Sequence, residues 1–473
     1  MNNRFLAAFL LLAAARVTIA RLLPITDDES YYWIWSQHLS WGYPDHPPVI
    51  AGLIRLSTLP LGDGPMGIRL GALVLSLATG VIVYALGRDM FGPRIGAVAA
   101  LASQLLPAIA AGGALAVPDA PFMFFWLLTV WLFWRALTAA HRPWWYAAGA
   151  ALGLTAMSKL FGALLALGLA GFLLATPAYR KWLRRSEPYA AAAIAVAVIA
   201  PFVLWNIAEG WPSWTKILQQ APWVRTGHPA VKTLTYVLGQ FAYYGPLTAP
   251  LLLLALRNGV RRPDAGDPRF ALLGWTALPI LILSIGLSPS GMPKPHWPAP
   301  AYVVAAITAT AMWWKSRYLG RLLLAWGGGL NALILGLILL TPWIAPSVAN
   351  QVTGWDQVTA QVVALATTLP EDPGVFIFST GYQTASQLTY RLRGAYPVTA
   401  AAPNTLLGRI VPLEEFVGWN AVYVDDDREP IEIPIDRMFR AVERLPNVRV
   451  VVDGRVVRSL YLYRGIGFLG PAR

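Results

Sequence analysis

The chain reads as long apolar runs broken by short segments rich in Pro, Gly, Arg and Trp, a pattern for which lipid is the main solvent. Runs that reach or approach the roughly 20 residues needed to cross a bilayer lie at 5–23, 67–87, 93–115, 119–138, 144–158, 160–176, 188–207, 235–256, 270–288, 297–314 and 319–342, which predicts about eleven crossings. The fifth and sixth are short. They meet at Met157-Ser158-Lys159-Leu160, where a charge inside an apolar run must reach water or protein. After Leu340 the pattern changes. Residues 345–473 alternate β-like runs (Val375–Phe378, Ala421–Val424, Val448–Val452) with amphipathic stretches at 356–369 and 436–445. The expected architecture is a polytopic α-helical membrane domain over 1–344, carrying a loop at 24–66, followed by a small α/β domain over 345–473.

Composition supports this picture: the 473 residues are 56% hydrophobic and 13% charged, too few charges to cover a water-facing surface of that size. The net charge of +13 does not call for nucleic acid, because no basic helix or aromatic RNA-binding motif accompanies it. With the amino terminus in the cytoplasm, the inner loops (Arg88 to Arg94, Arg135 to Pro143, Tyr179 to Pro188, Arg257 to Arg269, Lys315 to Arg321) are all basic, as the positive-inside rule requires. An odd number of crossings then places the carboxy-terminal domain outside. The run Met1 to Leu23 has a signal-peptide alternative, but Arg16 and Arg21 interrupt its end and no small-residue cleavage site precedes Pro24, so it is read as the first span. There is no cysteine, which excludes disulfides, thiolate metal sites and cysteine nucleophiles.

The outer side gathers the polar chemistry. Thr26-Asp27-Asp28-Glu29-Ser30-Tyr31-Tyr32-Trp33 holds three consecutive carboxylates, whose repulsion can raise one of them toward general-base values; a solvated acidic turn is the bland alternative. Gly42-Tyr43-Pro44-Asp45-His46-Pro47-Pro48 stiffens the chain around an Asp-His pair, and the aromatics from Tyr31 to Trp41 suit a helix lying in the membrane interface. Asp119 either caps the fourth span or faces a ligand. Lys159 has no carboxylate near it in sequence and suits a lipid-borne phosphate, with snorkelling as its alternative. Trp205-Asn206, Arg225, Lys294 and His296 add further outward polar groups.

Asp28-Glu29-Ser30-Tyr31-Tyr32-Trp33, Gly42-Tyr43-Pro44-Asp45-His46-Pro47-Pro48, Pro118-Asp119-Ala120-Pro121, Ser158-Lys159, Trp205-Asn206 and His296-Trp297-Pro298-Ala299-Pro300 occur in an order that resembles the family-39-type glycosyltransferases of the GT-C fold. That group includes protein O-mannosyltransferases and the aminoarabinose transferase acting on lipid A. The resemblance implies a polyprenyl-phosphate sugar donor, a glycolipid, glycan or protein acceptor, and inverting transfer by a monomer on the periplasmic face of a bacterial inner membrane. Asp28 or Glu29 is then the catalytic base, Asp28 first. Lys159, His46, Arg225 and Lys294 become contacts to the donor phosphate, and Asp119, Tyr31, Tyr32, Asn206 and His296 contacts to substrate. The lipid A transferase has Glu-Lys-Pro-Pro where this chain has Asp45-His46-Pro47-Pro48, its Glu helping to hold a metal and its Lys meeting phosphate. A divalent ion at Asp45 and His46 is therefore a candidate cofactor, and no organic cofactor is expected.

A transporter or flippase would also be polytopic with outer acids, but it should carry inverted repeats and mid-membrane charges, and neither is evident here. A non-catalytic membrane scaffold is the third reading.

Overall fold

A computed structural model describes residues 3–139, 141–219, 227–260, 267–313, 329, 333, 352–401, 405–426, 433–452 and 455–471. They fall into two compact units, Met1–Arg21 with Asp45–Leu337 and Leu22–Pro44 with Ile338–Arg473. The acidic start of the first loop thus groups with the carboxy-terminal domain, whereas Asp45-His46 groups with the membrane helices.

The first unit is a helical bundle. α1 (Asn3–Leu22), α4 (Pro65–Phe91), α7 (Asp119–Ala139), α10 (Glu187–Ala208) and α14 (Pro268–Leu287) are single helices long and apolar enough to span. Two bent pairs pass the same test, Leu160–Ala175 with Pro177–Arg184 and Pro229–Tyr244 with Thr248–Asn258, at 111° and 100°. α3 (Val49–Leu61) and α15 (Ala299–Trp313) are shorter apolar helices. The chain is therefore a polytopic membrane protein. Apart from Gly329 and Leu333, the predicted run 319–342 lies outside the described residues. Trp126, Trp145, Phe172, Tyr244 and Tyr302 fill the bundle core, where α7 packs on α8 (Arg142–Ser158), α8 on α10, and α14 on α9 (Ala163–Ala175) and α15.

Two predicted straight spans are broken. The run 93–115 divides into α5 (Pro93–Gln104) and α6 (Pro107–Gly112). Arg16 of α1 donates to the carbonyls of Gln104 and Ile109 at that break, both at 3.2 Å, and to Ser76 Oγ and Gln104 Oε1 at 3.0 and 2.6 Å. Backbone oxygens freed inside a bilayer need a donor, and a buried guanidinium supplies several at once. The run 235–256 bends between α12 (Pro229–Tyr244) and α13 (Thr248–Val260), at Gly245, whose φ of 89° favours glycine.

The second unit wraps a six-stranded sheet. β1 (Val375–Ser379) is buried along its whole length and lies parallel to β2 (Val398–Ala400) and β3 (Asn420–Asp426), as a central strand covered on both faces must be. β6 (Arg455–Phe468) runs antiparallel to β3 and is long enough to pair also with β4 (Phe439–Arg444) and β5 (Val448–Val452). The three predicted β-like runs all appear as strands, and 356–369 appears as α16 (Trp355–Ala366). Most of the amphipathic stretch 436–445 is strand β4. Between β1 and β2 the crossover is α17 (Tyr382–Leu392), which packs on α2 (Asp27–Gln37) of the first loop.

Candidate active site

The three consecutive carboxylates have three different environments. α2 begins with a capping box: the Thr26 hydroxyl accepts from Glu29 N at 3.3 Å, while Glu29 Oε2 accepts from Thr26 N and Oγ1, both at 3.1 Å. Glu29 is 0% exposed, so its carboxylate is committed to starting the helix. Asp27, also buried, accepts from Gln387 Nε2 at 3.2 Å. Asp28 is the exposed one of the three, and the Tyr382 hydroxyl donates to its Oδ1 at 3.3 Å.

Of the aromatics that follow, Trp41 is 63% exposed and the other four are buried in the protein. Tyr31, Tyr32, Trp33 and Trp35 are buried in the second unit: Tyr31 packs at 4.4 Å from Tyr382 and its hydroxyl accepts from Leu406 N, while Trp33 meets the ring of Tyr390 edge-on at 5.3 Å. The expected helix is α2, and the folded domain holds it. Its aromatic faces are buried against α17 and within α2 itself.

In the first unit a second polar cluster forms from residues far apart in sequence. Asp45 and His46 precede α3, Asp119 opens α7, Lys159 joins α8 to the following helix, and His296 precedes α15. Lys159 Nζ lies 2.9 Å from Asp119 Oδ1, with the side chains 5% and 31% exposed. Lys159 holds an extended conformation after α8, and the chain turns back so tightly that a Cβ on Gly162 would sit 2.5 Å from the Thr155 carbonyl. The tight return fixes Lys159 at the end of α8. Asp45 is paired with Lys216 Nζ at 3.4 Å, on α11 (Pro212–Gln219).

Asn206 shapes this second pair indirectly. Its side chain is buried, donates to Phe202 O at 3.1 Å and accepts from Ser213 N at 3.3 Å, tying the end of α10 to the start of α11. The stretch before His296 is held from behind, with Gln240 and Tyr244 donating to Pro295 O, each at 3.3 Å. Lys294 is exposed, and Arg225 lies outside the described residues.

The histidines of the cluster are neutral at physiological pH. Burial pushes His46 down to about 4, with the Lys159 charge adding to it and Asp45 and Asp119 opposing. Burial likewise pushes His296 down to about 4 against the pull of Asp119. His46 is therefore not a fixed cation for a phosphate. It can still donate one hydrogen bond and accept another. For a metal the donor set is poor: among the described residues no three His, Asp or Glu side chains gather, and the Asp45 carboxylate already faces the Lys216 ammonium.

The model of the family described as dolichyl-phosphate-mannose-protein mannosyltransferase matches residues 45–205, a stretch that contains Asp45, His46, Asp119 and Lys159. The lipid A galacturonosyltransferase RgtD of Rhizobium johnstonii is 25% identical over 386 residues, 80% of each chain. The undecaprenyl phosphate-alpha-4-amino-4-deoxy-L-arabinose arabinosyl transferase of Edwardsiella ictaluri is 29% identical over 54% of this chain and 47% of its own. The crystal structure of ArnT from Cupriavidus metallidurans, bound to undecaprenyl phosphate, superposes with a TM-score of 0.65 over 97% of both chains at 18% identity, which establishes the fold. The chain has the GT-C fold of these transferases. Its similarity to sugar transferases over most of its length supports a transferase over a transporter.

Of the residues singled out from sequence, the fold brings Asp119, Lys159, His46 and His296 within reach of one another's charge, with Asp45 beside His46. It turns Glu29, Tyr31, Tyr32 and Asn206 inward, to structural partners. Sequence reasoning missed Lys216, Tyr382 and Gln387. Lys216 had a signal, as the one cation in an amphipathic segment between Trp214 and the next loop; the other two had none.

Proposed function

We propose that this enzyme transfers a single sugar from a polyprenyl-phosphate carrier to a lipid A-type glycolipid on the periplasmic face of the inner membrane, with inversion at the anomeric carbon. The observation that carries the reading is the similarity over 80% of both chains to a lipid A galacturonosyltransferase, and the arabinosyl transferase and the undecaprenyl-phosphate-bound structure support the same donor class. The basic inner loops support the orientation.

Asp28 is the base. Its exposure leaves it the carboxylate of the three that can meet an acceptor hydroxyl, and a positioned base supplies roughly 10²–10⁴-fold for taking the proton as the anomeric carbon is attacked. As the sugar–oxygen bond to phosphate breaks, the donor's diester becomes a monoester and negative charge grows on its oxygens. Lys159 stabilises that charge: Asp119 accepts one of its three N–H groups, and the ammonium is otherwise buried, where a charge acts strongly. Lys216 is a second cation, paired with Asp45, and Lys294 contributes from an exposed position.

The test is transfer of radiolabelled sugar from undecaprenyl phosphate to purified lipid A in detergent, which gives product without any compartment to transport across. Asp28→Asn should remain folded by its melting curve and lose product formation by at least about 10²-fold. Full activity in that variant would remove Asp28 from the role.

A further inference from the structure

The carboxy-terminal unit is more than an appended domain, because α17 supplies much of what α2 packs against. Gln387, fully buried in the middle of α17, donates to Ile25 O at 2.9 Å and to Asp27 Oδ1 at 3.2 Å, so it holds the residue before the helix cap and the first carboxylate of the helix. Arg393, at the end of α17, lies over the rings of Trp33 and Tyr390, with its guanidinium carbon 4.9 and 4.3 Å from their centroids. These contacts are buried or aromatic, and they fix where α2 lies. The Tyr382 hydroxyl is different. It sits at the half-buried start of α17, its ring is seated against Tyr31 at 4.4 Å, and its oxygen donates to Asp28 Oδ1. A bond of 3.3 Å at the surface adds little to stability. What it does is restrict the rotamers of an otherwise exposed carboxylate, and a base held in one orientation reacts faster than one that must find it.

We propose that Tyr382 is a positioning residue for the transfer reaction: the carboxy-terminal domain reaches Asp28 through this hydroxyl and holds its carboxylate in the orientation that receives the acceptor proton. The inference rests on the reading of Asp28 as the base. It gives the domain a catalytic duty in addition to its structural one, and it assigns that duty to one atom.

The full-length enzyme in detergent is assayed with an undecaprenyl-phosphate sugar and lipid A, comparing Tyr382→Phe, Gln387→Leu and Asp28→Asn. Tyr382→Phe keeps the ring against Tyr31 and removes only the hydroxyl. It should lower kcat about five- to tenfold while leaving both KM values within about twofold and the melting temperature unchanged. Gln387→Leu is the control for a structural loss and should lower the melting temperature. A Tyr382→Phe enzyme with wild-type kcat, or one whose whole defect lies in KM, overturns the proposal, provided Asp28→Asn is inactive. An active Asp28→Asn enzyme would instead overturn the assignment of the base on which the proposal stands.

Discussion

Lys159 and Asp119 form a pair whose structural and chemical roles can be separated. Replacing Lys159 by Met keeps the length of the stem but leaves the Asp119 carboxylate, 31% exposed, without its ammonium. Breaking a fully buried pair costs about 3–5 kcal/mol, but partial exposure of Asp119 lets water recover much of that, so about 1–2 kcal/mol is expected. Asp119→Asn leaves the ammonium, 5% exposed, without a carboxylate, and should cost at least as much. The double substitution Lys159→Met with Asp119→Asn removes both charges together, leaves two neutral groups that fit the same space, and should return to within about 1 kcal/mol of wild type. Melting curves in detergent give these differences, at roughly 1 °C per kcal/mol for a chain of this length. Sugar transfer should not recover in parallel. Without the buried Lys159 ammonium to meet charge on the leaving phosphate, the double variant should stay about 10²–10³-fold slow. If stability and transfer both return, Lys159 serves only to neutralise Asp119 and its phosphate role is wrong.

Arg16→Leu should lower the melting temperature by several degrees, since it strips the donors from the Gln104 and Ile109 carbonyls at the α5–α6 break, while turnover per folded molecule is retained; a fall in turnover without loss of stability would contradict this role. His46 and His296 titrate near 4 in the folded chain against 6.5 when free, so between those values the unfolded chain binds protons that the folded chain refuses. Their contribution to stability is complete above about pH 6.5 and is lost as pH falls toward 4, and the slope of melting temperature against pH in that window should flatten in His46→Gln/His296→Gln. Because Asp45 already faces Lys216, EDTA should leave transfer within about twofold; activity lost to EDTA and restored by zinc or manganese would place a divalent ion at Asp45 and His46.

How much of this was legible in the chain depends on the distance over which each feature is encoded. Bilayer thickness demands a run of apolar residues that is local, so spans such as α4, α7, α10 and α14 could be read directly. Their breaks could not. Hydropathy has no sense of direction, and the α5–α6 break is satisfied by Arg16, nearly ninety positions earlier. The stretch 436–445 carries its apolar groups at Phe439, Ala441 and Val442, which fits either a helical or a strand period, and only pairing with β6 decides for strand. The capping box Thr26-x-x-Glu29 is local in sequence, yet it took the structure to show Glu29 bound to Thr26 and Asp28 exposed beside it. The partner of Lys159 lies 40 residues away on another helix, beyond any local pattern.

On the proposed role of Lys159, the charge balance of the first-unit cluster would favour the end of the reaction over the beginning. Its two buried or half-buried carboxylates, Asp45 and Asp119, are each matched by one ammonium, and its two histidines are neutral. With Lys294, whose charge reaches His296, the described cluster carries one excess positive charge, a modest attraction for a donor diester that carries one negative charge. As the sugar departs, the phosphate gains a second charge, and ammonium groups held on carboxylates can shift their hydrogen bonds toward it without being brought from solvent. Stabilisation that grows with the developing charge lowers the barrier, whereas tight binding of the donor would not. The same logic accounts for a neutral His46 beside Asp45. A lysine at that position would add a further cation, holding the donor more tightly before transfer and the spent carrier phosphate more tightly after it, and release of the carrier would then limit turnover.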